Sequence, residues 1–215
     1  MAKGSRGGTR GGATGGLSEA DILGTEALVS AREGRQREVD DVLTVARDLQ
    51  SMYGDQAIAN DLQVATLKKG NVLAYFDSEG NVAVNAKFLD TAKMNESYDK
   101  CVKNGYHPSR GNKSGIEAVT AHEFGHKMTE SAGAKMNLKG FSNLDRAADK
   151  IVLEARGQSG HKNVSTMRKK ISGYASQNNA ECIAEAFADV YCNGNKAKRE
   201  SKAVVNVLNK YLKGD

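Results

Sequence analysis

The stretch Ser114-Gly-Ile-Glu117-Ala118-Val119-Thr-Ala121-His122-Glu123-Phe124-Gly125-His126-Lys-Met128-Thr-Glu-Ser131 decides how this 215-residue chain is read. Ser114 followed by Glu117 is a capping-box pattern. The serine side chain takes a backbone N–H of the first turn, and the glutamate reaches back to the cap. The helix opened there is expected to run to about Ser131, before Gly133. Along it Ala118, Ala121, Phe124, Gly125, Met128 and Ala132 form one apolar stripe. His122 and His126 stand at the edge of that stripe, beside Val119.

His122-Glu123-Phe124-Gly125-His126 is an HExxH motif. Residues four apart on a helix lie about 40° apart in projection, so both imidazoles can face one ion. Glu123 falls about 60° from His126 and can reach a metal-bound water without ligating the metal. Zinc would lower the pKa of that water towards about 7, and the carboxylate would take its proton during attack on a carbonyl. Gly125 has no propensity reason to sit inside a helix. The same five residues also fit a histidine pair on a solvated face, with no chemistry at all.

A catalytic zinc needs a third protein ligand and an open fourth position. The chain has only four histidines. His107 falls in a predicted loop and His161 near a helix start, and both read as ordinary surface residues. No histidine follows at the HExxHxxGxxH spacing, which disfavours a metzincin. A carboxylate is the better candidate, in Ile171-Ser-Gly-Tyr174-Ala-Ser-Gln-Asn178-Asn-Ala-Glu181-Cys-Ile183-Ala184-Glu185-Ala-Phe187-Ala188. Ile183, Phe187 and Val190 make an apolar stripe, and Glu181 and Glu185 point the other way. A solvated acidic face explains that arrangement as well as a zinc does. Glu181 also has a capping-box role open to it, three residues after Asn178. The residues by themselves leave the choice open.

Tyr174, Asn178, Glu181, Ala184, Glu185, Phe187 and Ala188, following HEFGH, resemble the catalytic region of anthrax lethal factor-type zinc peptidases. These are gluzincins, which pair HExxH with a downstream glutamate. Similar domains recur in phage structural and cargo proteins, and the Gly/Arg-rich start looks like those phage chains. The resemblance is specific over about residues 115–191 and weaker over 72–104. Nothing resembles lethal factor's host-targeting portions, so its substrates do not carry over.

The resemblance implies a zincin-like metallopeptidase domain with one Zn²⁺ per chain, held by His122, His126 and Glu181. Glu123 would be the general base, and Tyr174 would face the scissile carbonyl. Glu185 would support the site from behind the ligands, with Asn178 beside it. The implied function is a zinc-dependent endopeptidase acting on a protein or peptide substrate. Phage structural proteins are the implied partners, and host-cell cytoplasm or the virion the setting. Two alternatives stay open: a virion protein that keeps the fold without turnover, and a delivered toxin protease.

Composition agrees with a globular chain and narrows the partners. Apolar residues make up 39% of the sequence. No stretch of about 20 residues lacks charges, so no membrane span is expected. The start lacks the apolar core of a signal peptide. The net charge is +5. Lys3, Arg6 and Arg10 supply +3 of it within an acid-free first 16 residues, so no specific nucleic-acid binding is expected. Three cysteines argue for reduced thiols. Cys182 and Cys192 would lie about 15 Å apart on a shared helix, too far to bridge. Cys182 reads as a small core residue.

The remaining layout is α+β, a small sheet or hairpin followed by a mainly helical region that carries the site. Residues 1–16 hold seven glycines and read as a mobile basic tail. Residues 17–60 form an N-terminal helical segment with a helix over about 32–53, and 61–215 the catalytic domain. Strand signal is confined to 62–85: LQVATL, VLAYFD and NVAVN, the last two joined by a hairpin at Ser78-Glu79-Gly80. Asn85 is expected to cap a helix over about 86–104. Further helices fit about 142–156, 162–172, 178–193 and 197–212.

Overall fold

The computed structural model describes residues 35–65, 67, 72–138 and 143–213. The basic tail at 1–16 and residues 17–34 of the 17–60 segment lie outside the described residues. Helix α1 (Gln36–Tyr53) comes first. Three short strands follow: β1 (Leu62–Ala65), β2 (Ala74–Phe76) and β3 (Val82–Asn85). The remaining helices are α2 (Thr91–Lys103), α3 (Gly115–Lys135), α4 (Asn143–Gln158), α5 (Val164–Ile171), α6 (Asn179–Asn193) and α7 (Arg199–Lys213). The fold is therefore α+β, a three-stranded sheet with helices. None of the described helices is long and apolar enough to cross a membrane.

The sheet runs in the order β1-β3-β2. The hairpin expected around Ser78-Glu79-Gly80 forms, with Phe76 opposite Val82 and Ala74 opposite Val84. Its turn is built on Asp77, whose Oδ1 accepts from the N–H groups of Glu79 and Asn81. β1 pairs with β3 in parallel, Leu62 opposite Val82 and Val64 opposite Val84. That leaves β2 at the sheet edge, packed against α3.

Helix α3 is the centre of the molecule. It touches α1, α2, α4, α6, α7 and β2, and even His122, Glu123 and Lys127 on it are buried. The capping box forms in full: Ser114 Oγ accepts from Glu117 N at 3.1 Å, and Glu117 Oε2 accepts from Ser114 N at 2.7 Å. Ala118, Ala121, Phe124, Gly125, Met128 and Ala132 are all buried. The core unites Val39, Val42 and Leu49 of α1 with Phe124 and Met128 of α3, Ile183 and Phe187 of α6, and Val204 and Leu208 of α7. Part of the 17–60 segment thus shares a core with the site-bearing region.

Three local expectations are corrected. Helix α3 does not stop before Gly133 but continues to Lys135. Gly133 serves packing instead of termination, since a Cβ there would come within 2.9 Å of Asn143 O. Asn85 does not cap a long helix. It is fully buried, caps the short 3-10 turn Ala86–Phe88 through Lys87 N, and donates to Val72 O at 2.8 Å. The helix proper starts at Thr91, with Asp90 as its cap. His161 is not a free surface residue, because its Nε2 lies 2.9 Å from Glu200 Oε1 and both side chains are mostly buried. All three cysteines are free, and Cys182 is buried as expected. Burial pushes its thiol up to about 12, so it is an inert core group.

Candidate metal centre

The site forms where α6 crosses α3 at close range. A Cβ on Gly125 would lie 2.7 Å from Ala184 Cα and 3.1 Å from Phe187 Cβ. Only glycine lets the two backbones approach this far, which supplies the reason that helix propensity does not. Glu181 lies one turn before Ala184 on the same helix, so the crossing brings its carboxylate to the histidines. Asn178 caps α6 by accepting from Glu181 N at 2.8 Å. The Glu181 side chain does not complete a capping box. It leaves the helix end and faces α3.

Glu181 Oε2 lies 3.1 Å from His122 Nε2 and 3.5 Å from His126 Nε2. One ligand atom from each of the three residues falls within 4.8 Å of the others. Glu181 Oε2 is buried, yet has no partner in hydrogen-bonding geometry. A buried carboxylate oxygen is ordinarily hydrogen-bonded. Two ring nitrogens and a carboxylate oxygen converging on one point form a donor set that fits a cation. The residues present therefore fit a metal ion, and they are the one such trio among the described residues.

Glu185 is one turn further along α6 and only 1% exposed, so it is not part of a solvated acidic face. Its Oε1 accepts from His122 Nδ1 at 2.9 Å and its Oε2 from Ser172 Oγ at 2.7 Å. That bond fixes the ring of His122 with Nε2 turned towards Glu181. Phe76 of β2 stacks on His126 at 6.3 Å between centroids, and Tyr174 on His122 at 5.5 Å.

Comparison with family models, curated proteins and solved structures finds no match. The reading of the site therefore rests on its own geometry.

Electrostatics follow from burial and from these contacts. Burial disfavours the imidazolium of His122, but Glu181 and Glu185 outweigh it and hold its pKa up at about 10. Burial likewise opposes ionisation of Glu185, yet bonds from His107 and His122 bring it down to about 2. Glu181 sits well below the carboxylate range, since the two adjacent histidines outweigh its burial. Glu123 behaves oppositely: burial raises its pKa more than the histidines lower it. A carboxyl that holds a proton more readily is suited to proton transfer. Burial, followed by the charge of Glu181, pushes the Tyr174 phenol up to about 12, so it keeps its proton.

His122, His126 and Glu181 converge, Glu123, Tyr174 and Glu185 line the adjoining cavity, and Asn178, expected beside the site, serves as the cap of α6. The cavity measures about 380 Å³. Its other walls are apolar or aromatic, including Leu73, Tyr98 and Val119. Two participants were not expected. His107 lines the cavity instead of the outer surface, and its Nδ1 lies 3.0 Å from Glu185 Oε1. Ser172 holds Glu185 from the other side. One signal points to them. The dipeptide Gly-Tyr occurs at 105–106 and again at 173–174, and the two copies dock by Gly173 N to Gly105 O at 2.8 Å and Tyr174 N to Tyr106 O at 3.0 Å.

Proposed function

We propose that this chain is a zinc-dependent endopeptidase of the zincin-like, gluzincin type. The observation that carries the proposal is the convergence of Glu181 Oε2 on the Nε2 atoms of His122 and His126, at 3.1 and 3.5 Å, with Glu123 beside them. Two imidazoles, one carboxylate and an adjoining cavity are the donor set and open side of a catalytic zinc site. Bound there, zinc would act as a Lewis acid, polarising the scissile carbonyl and acidifying water.

The chain's own residues divide the remaining work. Glu123 takes the proton of the attacking water on its carboxylate and passes it to the leaving amine nitrogen. Its burial and raised pKa suit both halves of that transfer. Tyr174 keeps its phenolic proton and donates a hydrogen bond to the oxygen that gains negative charge, a stabilisation often worth about 3–4 kcal/mol. Glu185 keeps His122 protonated at Nδ1, so Nε2 is the free donor. The cavity beside them takes the polypeptide substrate. A phage setting, with virion or host-cytoplasmic proteins as substrates, belongs to the same proposal and rests on the sequence resemblance.

The test compares wild type with Glu123→Gln. Wild type is expected to hold about one zinc per chain and to hydrolyse peptides. Glu123→Gln should keep the zinc and lose nearly all hydrolysis. Full activity in that variant refutes the mechanism. No bound zinc after metal-free purification and zinc readdition refutes the site.

A further inference from the structure

His107 belongs to neither the HExxH helix nor α6, yet its position is tightly specified. Its Nδ1 stands 3.0 Å from Glu185 Oε1 and 3.1 Å from Oε2, astride the two oxygens. Its ring stacks on Tyr98 at 5.1 Å between centroids with planes only 10° apart. Tyr106 and Tyr174 meet it edge-on at 4.9 and 5.5 Å. The segment that carries it is held by the Gly105–Gly173 and Tyr106–Tyr174 backbone bonds. Three aromatic contacts and a backbone clamp leave the ring one orientation.

The Glu185 carboxylate needs such a neighbour. It is 1% exposed, so its bonds come chiefly from neighbouring side chains. His122 engages Oε1 and Ser172 engages Oε2, each from one side. Two single-point bonds still allow the carboxylate to rotate about the axis that joins them. A third donor placed symmetrically across both oxygens removes that rotation. The direction in which Oε1 presents its lone pair to His122 Nδ1 is then fixed, and with it the aim of His122 Nε2.

We propose that His107 is a positioning residue, which orients His122 by locking Glu185 and at the same time buttresses Tyr174. The proposal rests on the metal-site reading above, but acts through contacts present without the ion. His107 meets both oxygens of Glu185 through Nδ1, at 3.0 and 3.1 Å. The role explains why the imidazole is walled in by three tyrosines and not left at the mouth of the cavity.

Two variants separate the hydrogen bond from the packing. His107→Phe keeps an aromatic ring for Tyr98 and removes the donor. His107→Asn places an amide nitrogen close to where Nδ1 lies and removes most of the ring. In the metal-free protein, the Nδ1–H proton of His122 is observed directly by ¹H–¹⁵N NMR. It should persist in wild type and His107→Asn, and broaden away in His107→Phe. Zinc affinity, measured by chelator competition, should fall about 10–100-fold in His107→Phe, the usual range for losing an outer hydrogen bond. It should stay within several-fold of wild type in His107→Asn.

Melting curves accompany both variants. If His107→Phe does not fold, His107→Gln replaces it, since that amide nitrogen overlays Nε2 instead and leaves Glu185 unlocked. The proposal is overturned if the donor-free variant keeps both the His122 signal and wild-type zinc affinity. It is also overturned if His107→Asn is as impaired as His107→Phe, because packing alone would then account for the residue. Absence of zinc binding in wild type would refute the metal reading, while the NMR comparison would still decide the role of His107.

Discussion

Replacing Gly125 by alanine adds a single methyl group at the closest point between the two site-bearing helices. That methyl would stand 2.7 Å from Ala184 Cα, 3.1 Å from Phe187 Cβ and 3.3 Å from Ala184 O. Carbon atoms in contact settle at about 3.5–4.0 Å, so the crossing must open by about 0.8 Å. Overpacking of this kind costs about 1–3 kcal/mol, against which alanine returns about 1 kcal/mol of helix propensity. The net destabilisation is then about 0–2 kcal/mol, a fall of at most about 8 °C in melting temperature for a chain of this size. The effect on the metal should be larger. Metal–ligand distances hold to about 0.2 Å, so an opening of about 0.8 Å draws the Glu181 carboxylate out of reach of an ion held by His122 and His126. Gly125→Ala is therefore expected to fold and yet to bind zinc at least about 10–100-fold more weakly. Thermal melting of the metal-free protein and chelator competition for zinc measure the two effects separately. A variant with unchanged zinc affinity would refute the claim that this glycine sets the site.

Three further outcomes are expected. Glu181→Ala should weaken zinc binding by orders of magnitude, and Glu185→Ala by about 10–100-fold. Chelator competition on both decides the assignment, and the reverse order would make Glu185 the ligand. Because Asn178 caps α6 through the backbone of residue 181, Glu181→Ala keeps that cap, and a loss of helix stability alone would contradict the ligand role. In the metal-free protein His122 is held at about 10, raised from its ordinary value. Its contribution to stability is thus full below about pH 6.5 and lost as pH rises through about 10. Zinc requires the neutral ring, so binding near pH 7 should release a proton and tighten as pH rises. Calorimetry in buffers of different ionisation heat measures that proton, and a heat independent of buffer would refute it. A chain beginning at Leu17 should fold and bind zinc like the full-length protein, and a large drop in its melting temperature would show that the tail contributes to the fold.

Much of the layout was legible because it depends on local rules. The capping box at Ser114 and Glu117 forms with both reciprocal bonds, and the runs VLAYFD and NVAVN become the antiparallel hairpin. Errors arose where packing overrode a local signal. Gly133 looks like a helix terminator, but it is a contact point beneath Asn143. Asn85 has a good capping side chain, and the sheet captures it to bind Val72 O. His107 and His161 look alike in sequence, isolated imidazoles in polar surroundings. Each finds a glutamate distant in sequence, Glu185 and Glu200 respectively.

The sequence by itself determined the pieces: which segments are helical, where the strands lie, and that His122, Glu123 and His126 share one helix surface. Those properties come from spacing within a few residues, where backbone geometry alone relates side chains. It left Glu181 divided between ligand, cap and solvated charge, because each role fits the same local pattern. Only the tertiary structure shows where that carboxylate points. The α3–α6 crossing at Gly125 turns the Glu181 carboxylate towards the histidines, while Glu185 is buried under His107, His122 and Ser172. A carboxylate's role depends on what faces it across the core, and that neighbour lies 50 to 80 residues away in the chain.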